Sequence, residues 1–251
     1  MRVTLSVPGS VLLVLTLALG FSGCRSSTTP PTLTSARAPE TLSLGARMHE
    51  HDVRGAAMRD AVARADLEVA RREATVLAAL RVEGVADPAW RARLEAMNVA
   101  AARVASAKAL PEASNAVAEV ARTCGDCHRL GGPSPSAIEP PEKEPGVAAG
   151  MKRHDWAVAR LWDGLVIPSD RSWQAGARVL RDAPLEPAPI APGESPVPAI
   201  GELAIGVLAT SVHDLAVRAS VTDASVDRGA VYAELMTTCA ACHARFAQGL
   251  R

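Results

Sequence analysis

Residues 44–62 read LGARMHEHDVRGAAMRDAV, and residues 147–165 read VAAGMKRHDWAVARLWDGL. In the first stretch Leu44, Met48, His51, Gly55, Met58 and Val62 follow one another at steps of 4, 3, 4, 3 and 4, which places them on one side of a helix. Val147, Met151, His154, Val158, Leu161 and Leu165 repeat those steps at a constant shift of 103 residues. The shift lays Met48, His51 and Asp52 onto Met151, His154 and Asp155. A match at so long a period is an internal repeat, so the chain is read as two related halves.

Working outward, Asp66 is placed to cap a second helix from Leu67 to Arg81, and Ser169 to cap its counterpart through Leu180. Third helices are expected to start near Pro88 and Pro198, because proline is tolerated in a first helical turn. The shift there has grown to 110, and the Pro-rich residues 183–198 account for the seven extra. Fourth helices are expected from about Pro111 to Arg129 and from about Asp223 to Phe246. No segment alternates as a strand does, and Ala, Arg, Glu and Leu dominate the periodic stretches. The expectation is therefore an all-α fold of two tandem four-helix bundles, at 41–130 and 146–251, joined by a Pro-rich linker at 131–145.

Two pentapeptides carry the chemistry. Cys124-Gly125-Asp126-Cys127-His128 and Cys239-Ala240-Ala241-Cys242-His243 both spell C-x-x-C-H, the attachment signature of c-type haem. Each lies near the end of the last helix of its half. On a helix two cysteines three apart share a face and reach two vinyl groups, while the next imidazole reaches the iron. Val117 and Val120 continue that face in the first half, as Tyr232 and Leu235 do in the second. Covalent links through Cys124, Cys127, Cys239 and Cys242 and axial ligation by His128 and His243 follow, with two haems per chain. A structural zinc site would have to join cysteine pairs from two bundles, and a C-x-x-C disulfide closes too short a loop to restrain much chain. With six His in 251 residues, two chance placements after C-x-x-C have a probability of roughly 0.0006.

Opposite that helix, the repeated Met-x-x-His-Asp puts Met48 with His51, and Met151 with His154, on the core-facing stripe of a first helix. His51 and His154 are the candidate distal ligands. Met48 and Met151 are the alternatives, and an open five-coordinate iron is the third. His49 falls on nearly the opposite face, and His213 has no counterpart in the first half.

The composition agrees with a globular chain: 251 residues, 48% hydrophobic and 22% charged. Lys plus Arg and Asp plus Glu both total 27, so no basic excess points to nucleic acid. Aromatics are only 3%, and bound haem is the expected filler of the interior. At the N-terminus Arg2, the apolar run Val11 to Leu19 and the small residues before Cys24 have the zones of a secretory signal, and the run is too short to span a bilayer. Cleavage before Cys24, leaving residues 1–23 as signal, resembles bacterial lipoprotein processing, with lipid on Cys24 and a Ser/Thr/Pro-rich tether over 24–40. The expected location is the periplasmic face of a bacterial membrane, the alternative a soluble periplasmic protein.

A four-helix unit with C-x-x-C-H closing its last helix and a distal residue on its first resembles the class II c-type cytochromes, the cytochrome c′ family. The resemblance spans about 90 residues of the first half and 105 of the second; Phe246, three beyond His243, matches the aromatic usual there and Gly131 does not. It implies thioether-linked haem and a distal contact from the first helix. A repeated distal His departs from family members with Met, Leu or another apolar group at that place, and a filled sixth position excludes a gas ligand. The expected function is electron transfer with other envelope redox proteins rather than catalysis. A gas-binding or sensing protein of cytochrome c′ type and a dihaem peroxidase are the alternatives.

Overall fold

Eight α-helices and no strand make up the described residues, which in this computed structural model are 43–80, 87–132, 139–182, 199–223 and 225–246. In chain order they are α1 (Leu44–Ala63), α2 (Leu67–Ala79), α3 (Pro88–Ser106), α4 (Leu110–His128), α5 (Val147–Val166), α6 (Asp170–Asp182), α7 (Ala199–Ser220) and α8 (Ser225–Phe246). The fold is all-α. The signal and tether readings, Cys24, and the whole Pro-rich stretch 183–198 with Pro198 lie outside the described residues.

The helix starts follow from local chemistry. Ser43 Oγ accepts from the Ala46 N–H, an Asp66 carboxylate oxygen from Val69, and an Asp87 carboxylate oxygen from Ala89 just ahead of Pro88. Each takes up one of the backbone donors that a first turn leaves unpaired. Ser169 does the same for α6 by accepting from Ser172. Between α1 and α2 the chain turns through Ala65 at φ 62°, a left-handed conformation that costs a residue with a Cβ about 1 kcal/mol. The equivalent position in the second half is Pro168, whose ring forbids that φ, so α5 hands over to α6 by a different turn.

Consecutive helices pack side by side in both halves, and α1 also meets α4 as α5 meets α8. The halves meet along α4 and α8, with α5 against α4 and α1 against α8. The stripes seen in the sequence face inward over most of their length: His51, Gly55, Met58 and Val62 are buried, as are Val158, Leu161 and Leu165. Val147, at the first position of α5, departs from this and is exposed.

Alanine and valine fill much of the first half, where Ala70, Ala74, Ala100, Ala101, Val104, Ala113, Val117 and Ala121 have almost no exposed surface. The large rings cluster in the second. Trp173 is buried and donates its indole N–H to the Ala219 carbonyl at 2.8 Å, tying α6 to α7. Arg228, almost buried on α8, lies 5.2 Å from the Trp173 ring centroid and bonds Asp170 at 2.7 Å. Trp162 and Tyr232 meet with ring centroids 6.2 Å apart.

Glycines set the closest helix approaches. A Cβ on Gly176 would stand 2.6 Å from the Ala157 carbonyl oxygen, and one on Gly164 would stand 2.8 Å from the Trp173 Cβ, so α5 and α6 touch backbone to backbone. Gly206 on α7 is exposed and a Cβ there meets nothing within 4 Å. In a helix interior Gly→Ala gains about 1 kcal/mol where space is open, whereas overpacking costs about 1–3 kcal/mol. Urea unfolding should therefore show Gly206→Ala stabilised and Gly176→Ala destabilised; equal shifts of one sign would contradict this packing.

Candidate functional site

The C-terminal turn of α4 ends on Cys124, Cys127 and His128, and that of α8 carries Cys239, Cys242 and His243. Each opens onto a cleft. Met48, His51, Asp52 and Gly55 of α1 line the first, together with Cys124, Cys127 and His128. Met151, His154, Asp155 and Val158 of α5 line the second, together with Cys239, Cys242 and His243. The structure thus brings every candidate ligand of a half to one place, in the same register in both halves. The clefts hold about 580 and 920 Å³ of space when the open solvent at their mouths is included.

Each cleft also takes a wall from the other half. Trp162 and Val166 of α5 complete the first, and Arg59, Asp60, Ala63 and Arg64 of α1 complete the second. The histidines show why. His128 Nδ1 lies 2.6 Å from the Val166 carbonyl oxygen, and His243 Nδ1 lies 2.7 Å from that of Ala63. A carbonyl only accepts, so both rings carry a proton on Nδ1, which in the neutral imidazole leaves the lone pair on Nε2. Ala63 and Val166 are 103 residues apart, the repeat shift, so each half orients the other's imidazole through the same structural position. An imidazole held by one nitrogen and bare on the other is the arrangement of an oriented metal ligand.

Gly125 makes this closeness possible, since a Cβ there would stand 2.2 Å from the Leu165 carbonyl oxygen. Its counterpart on α8 is Ala240, fully buried.

Across the first cleft His51 is buried, and its Nε2 has no hydrogen-bond partner. An orphaned buried acceptor costs about 1–3 kcal/mol, and a ligand that uses the lone pair removes that cost. Burial holds the imidazole below its ordinary pKa, against the pull of Glu50, which favours the neutral form that binds metals. His154 and Met151 are half-buried in the second cleft, as Met48 is in the first. His49 is exposed, and His213 Nδ1 faces the Arg181 carbonyl at 3.1 Å, away from both clefts.

The thiols are unpaired. Burial, then the neighbouring cysteine and Asp52, push the Cys124 thiol up to about 12; burial, then Cys242 and Asp155, do the same for Cys239. Burial also raises Cys127 and Cys242. Raised thiols are mostly protonated and so weakly nucleophilic near neutral pH. Among the described residues no three His, Cys, Asp or Glu side chains converge as a metal cage. Cations stand at both clefts: Arg93, fixed by bonds to the Asp126 and Ala89 carbonyls, at the first, and Arg59 and Arg64 at the second.

No family model, curated protein or solved structure matches this chain. Reading the sequence found the cysteines, the terminal histidines and the first-helix pairs. It missed the Ala63 and Val166 carbonyls, Arg59, Arg93, Trp162 and the need for glycine at 125. The shift of 103 already equated Ala63 with Val166, but nothing in a periodicity says that equivalent positions serve each other's half.

Imidazole ¹⁵N NMR should find His128 and His243 as Nδ1–H tautomers with slowly exchanging protons. Gly125→Ala should quicken exchange at His128 and leave His243 unchanged; a change at both, or at neither, would contradict the geometry.

Proposed function

We propose that the chain is a dihaem c-type cytochrome that carries electrons in the bacterial cell envelope, built as two tandem four-helix units. The observation that carries this reading is the double convergence of C-x-x-C-H, an Nδ1-anchored imidazole and a first-helix Met-His pair on two clefts in one register. The residues present fit the group. His51 Nε2 is buried without a hydrogen-bond partner, on a residue that lines a cleft with a cysteine pair and a cation.

Bound there, haem supplies an iron that takes up and releases one electron at a time. The chain's own residues do the rest. Cys124 and Cys127, and Cys239 and Cys242, would hold the ring by thioethers. His128 and His243 would bind the iron through Nε2, held in direction by the Val166 and Ala63 carbonyls. His51 and His154 would be the further ligands, with Met48 and Met151 as substitutes one helical turn away. Arg93, Arg59 and Arg64 would be the cations available to the ring's carboxylates. An iron held by two side chains would need no substrate pocket, and that suits a carrier better than an enzyme. Lipid on Cys24 and the tether to residue 40 would keep the body near a membrane and its redox partners.

The wider second cleft and the half-buried His154 favour one further reading, reversible binding of a small gas at that iron alone.

Protein matured in a host with a haem-attachment system should gain the mass of two haems and show a low-spin spectrum that ignores CO and NO. His51→Ala and His154→Ala should each turn half of the absorbance high-spin. A colourless protein of polypeptide mass would end the reading, and CO binding at one haem would move the second site to gas binding.

A further inference from the structure

The two clefts share one wall. Arg59 lines the second and Trp162 lines the first, and the guanidinium carbon of Arg59 lies 5.6 Å from the Trp162 ring centroid. These residues are 103 apart, so they hold equivalent positions in the two halves and touch each other across the seam. Both are withdrawn from water: the Arg59 side chain keeps 12% of its surface and Trp162 keeps 4%. Trp162 also packs on Tyr232 of α8, the helix that carries the second cysteine pair.

The groups facing Arg59 are few. Asp60 pairs with it at 2.7 Å and with Arg64 at 3.4 Å, and the Asp163 carboxylate and the Tyr232 hydroxyl act on it from α5 and α8. A guanidinium stays charged at any working pH, and in a wall away from water its field is weakly screened. Reduction adds one negative charge to whichever group is bound beside it.

We propose that the Arg59–Trp162 contact is a common electrostatic wall through which one fixed cation sets the potentials of both redox groups together. This rests on the haem reading above. The cation reaches the second cleft directly and the first through the face of the Trp162 ring.

The test is a spectroelectrochemical titration of the two-haem protein. Arg59→Met should lower both midpoints, each reduction constant falling at least threefold, or about 28 mV at 59 mV per tenfold. Arg59→Lys should keep both near the parent values, because charge and not the planar fork is what acts. Asp60→Asn, which uncovers the same cation, should raise both and serves if Arg59→Met does not fold. Arg93→Met, at the first cleft alone, should move one midpoint only. A single midpoint moving in Arg59→Met, or neither, overturns the shared wall while leaving the cytochrome reading intact. Loss of effect on charge, with Arg59→Lys resembling Arg59→Met, overturns it as well. Polypeptide without haem would overturn both, and mass spectrometry before titration separates that case.

Discussion

Two hydrogen bonds, from the His128 ring to Val166 and from the His243 ring to Ala63, depend on both halves being docked. A single neutral bond of this kind contributes about 1 kcal/mol, too little to hold two sets of four helices together. Its consequence is directional. The ring nitrogen that donates to the carbonyl fixes which nitrogen faces the cleft, and a neutral ring turned by 180° would present N–H there in place of a lone pair. The acceptor carbonyls are available because α1 and α5 end there: the last four carbonyls of a helix lack partners within it. The site therefore uses a backbone group that a helix leaves over, and spends no side chain on orientation.

Docking at that range constrains the residues around it. α4 can bring His128 to the end of α5 only because Gly125 has no Cβ to strike the Leu165 carbonyl, and the second half manages the equivalent approach with Ala240. At the seam α4 buries mostly alanine and valine, whose short side chains let axes come close. The buried large rings stand at the seam or in the second half, where Trp162, Tyr232 and Trp173 occupy volume that small residues would leave empty. Buried aromatic volume is thus concentrated in the second half and at the seam, and scarce in the Ala-rich interior of the first.

Much of this was legible before any coordinates. Period, caps and prolines placed eight helices, because those signals report local backbone chemistry: Asp66, Pro88 and Ser169 each act within a turn of their own position. The inward stripes of α1 and α5 were legible as well, since burial repeats every 3.6 residues. The partner of a buried face is not encoded in its period. His51 reads the same whether it faces its own half or the other, and Val147 carries the stripe's spacing yet lies exposed where α5 begins. The C-x-x-C-H residues stood out because their spacing is itself chemical. Arg59 and Arg93 did not, since each is one arginine among many until its neighbours are known.

The seam also explains why two halves on one chain differ where they touch. Equivalent positions that meet across a two-fold relation meet their own kind if the halves are identical. Two arginines at the position of Arg59 and Trp162 would bring like charges together in a wall away from water, and two tryptophans would crowd it with rings. An arginine against a tryptophan is instead attractive, by about 0.5–2 kcal/mol, and fills the space with one ring and one slender side chain. Only a chain that carries both halves can place different residues there. The same asymmetry leaves a charge facing one cleft and an apolar ring facing the other, so the step that removes a clash at the seam also makes the two sites unequal.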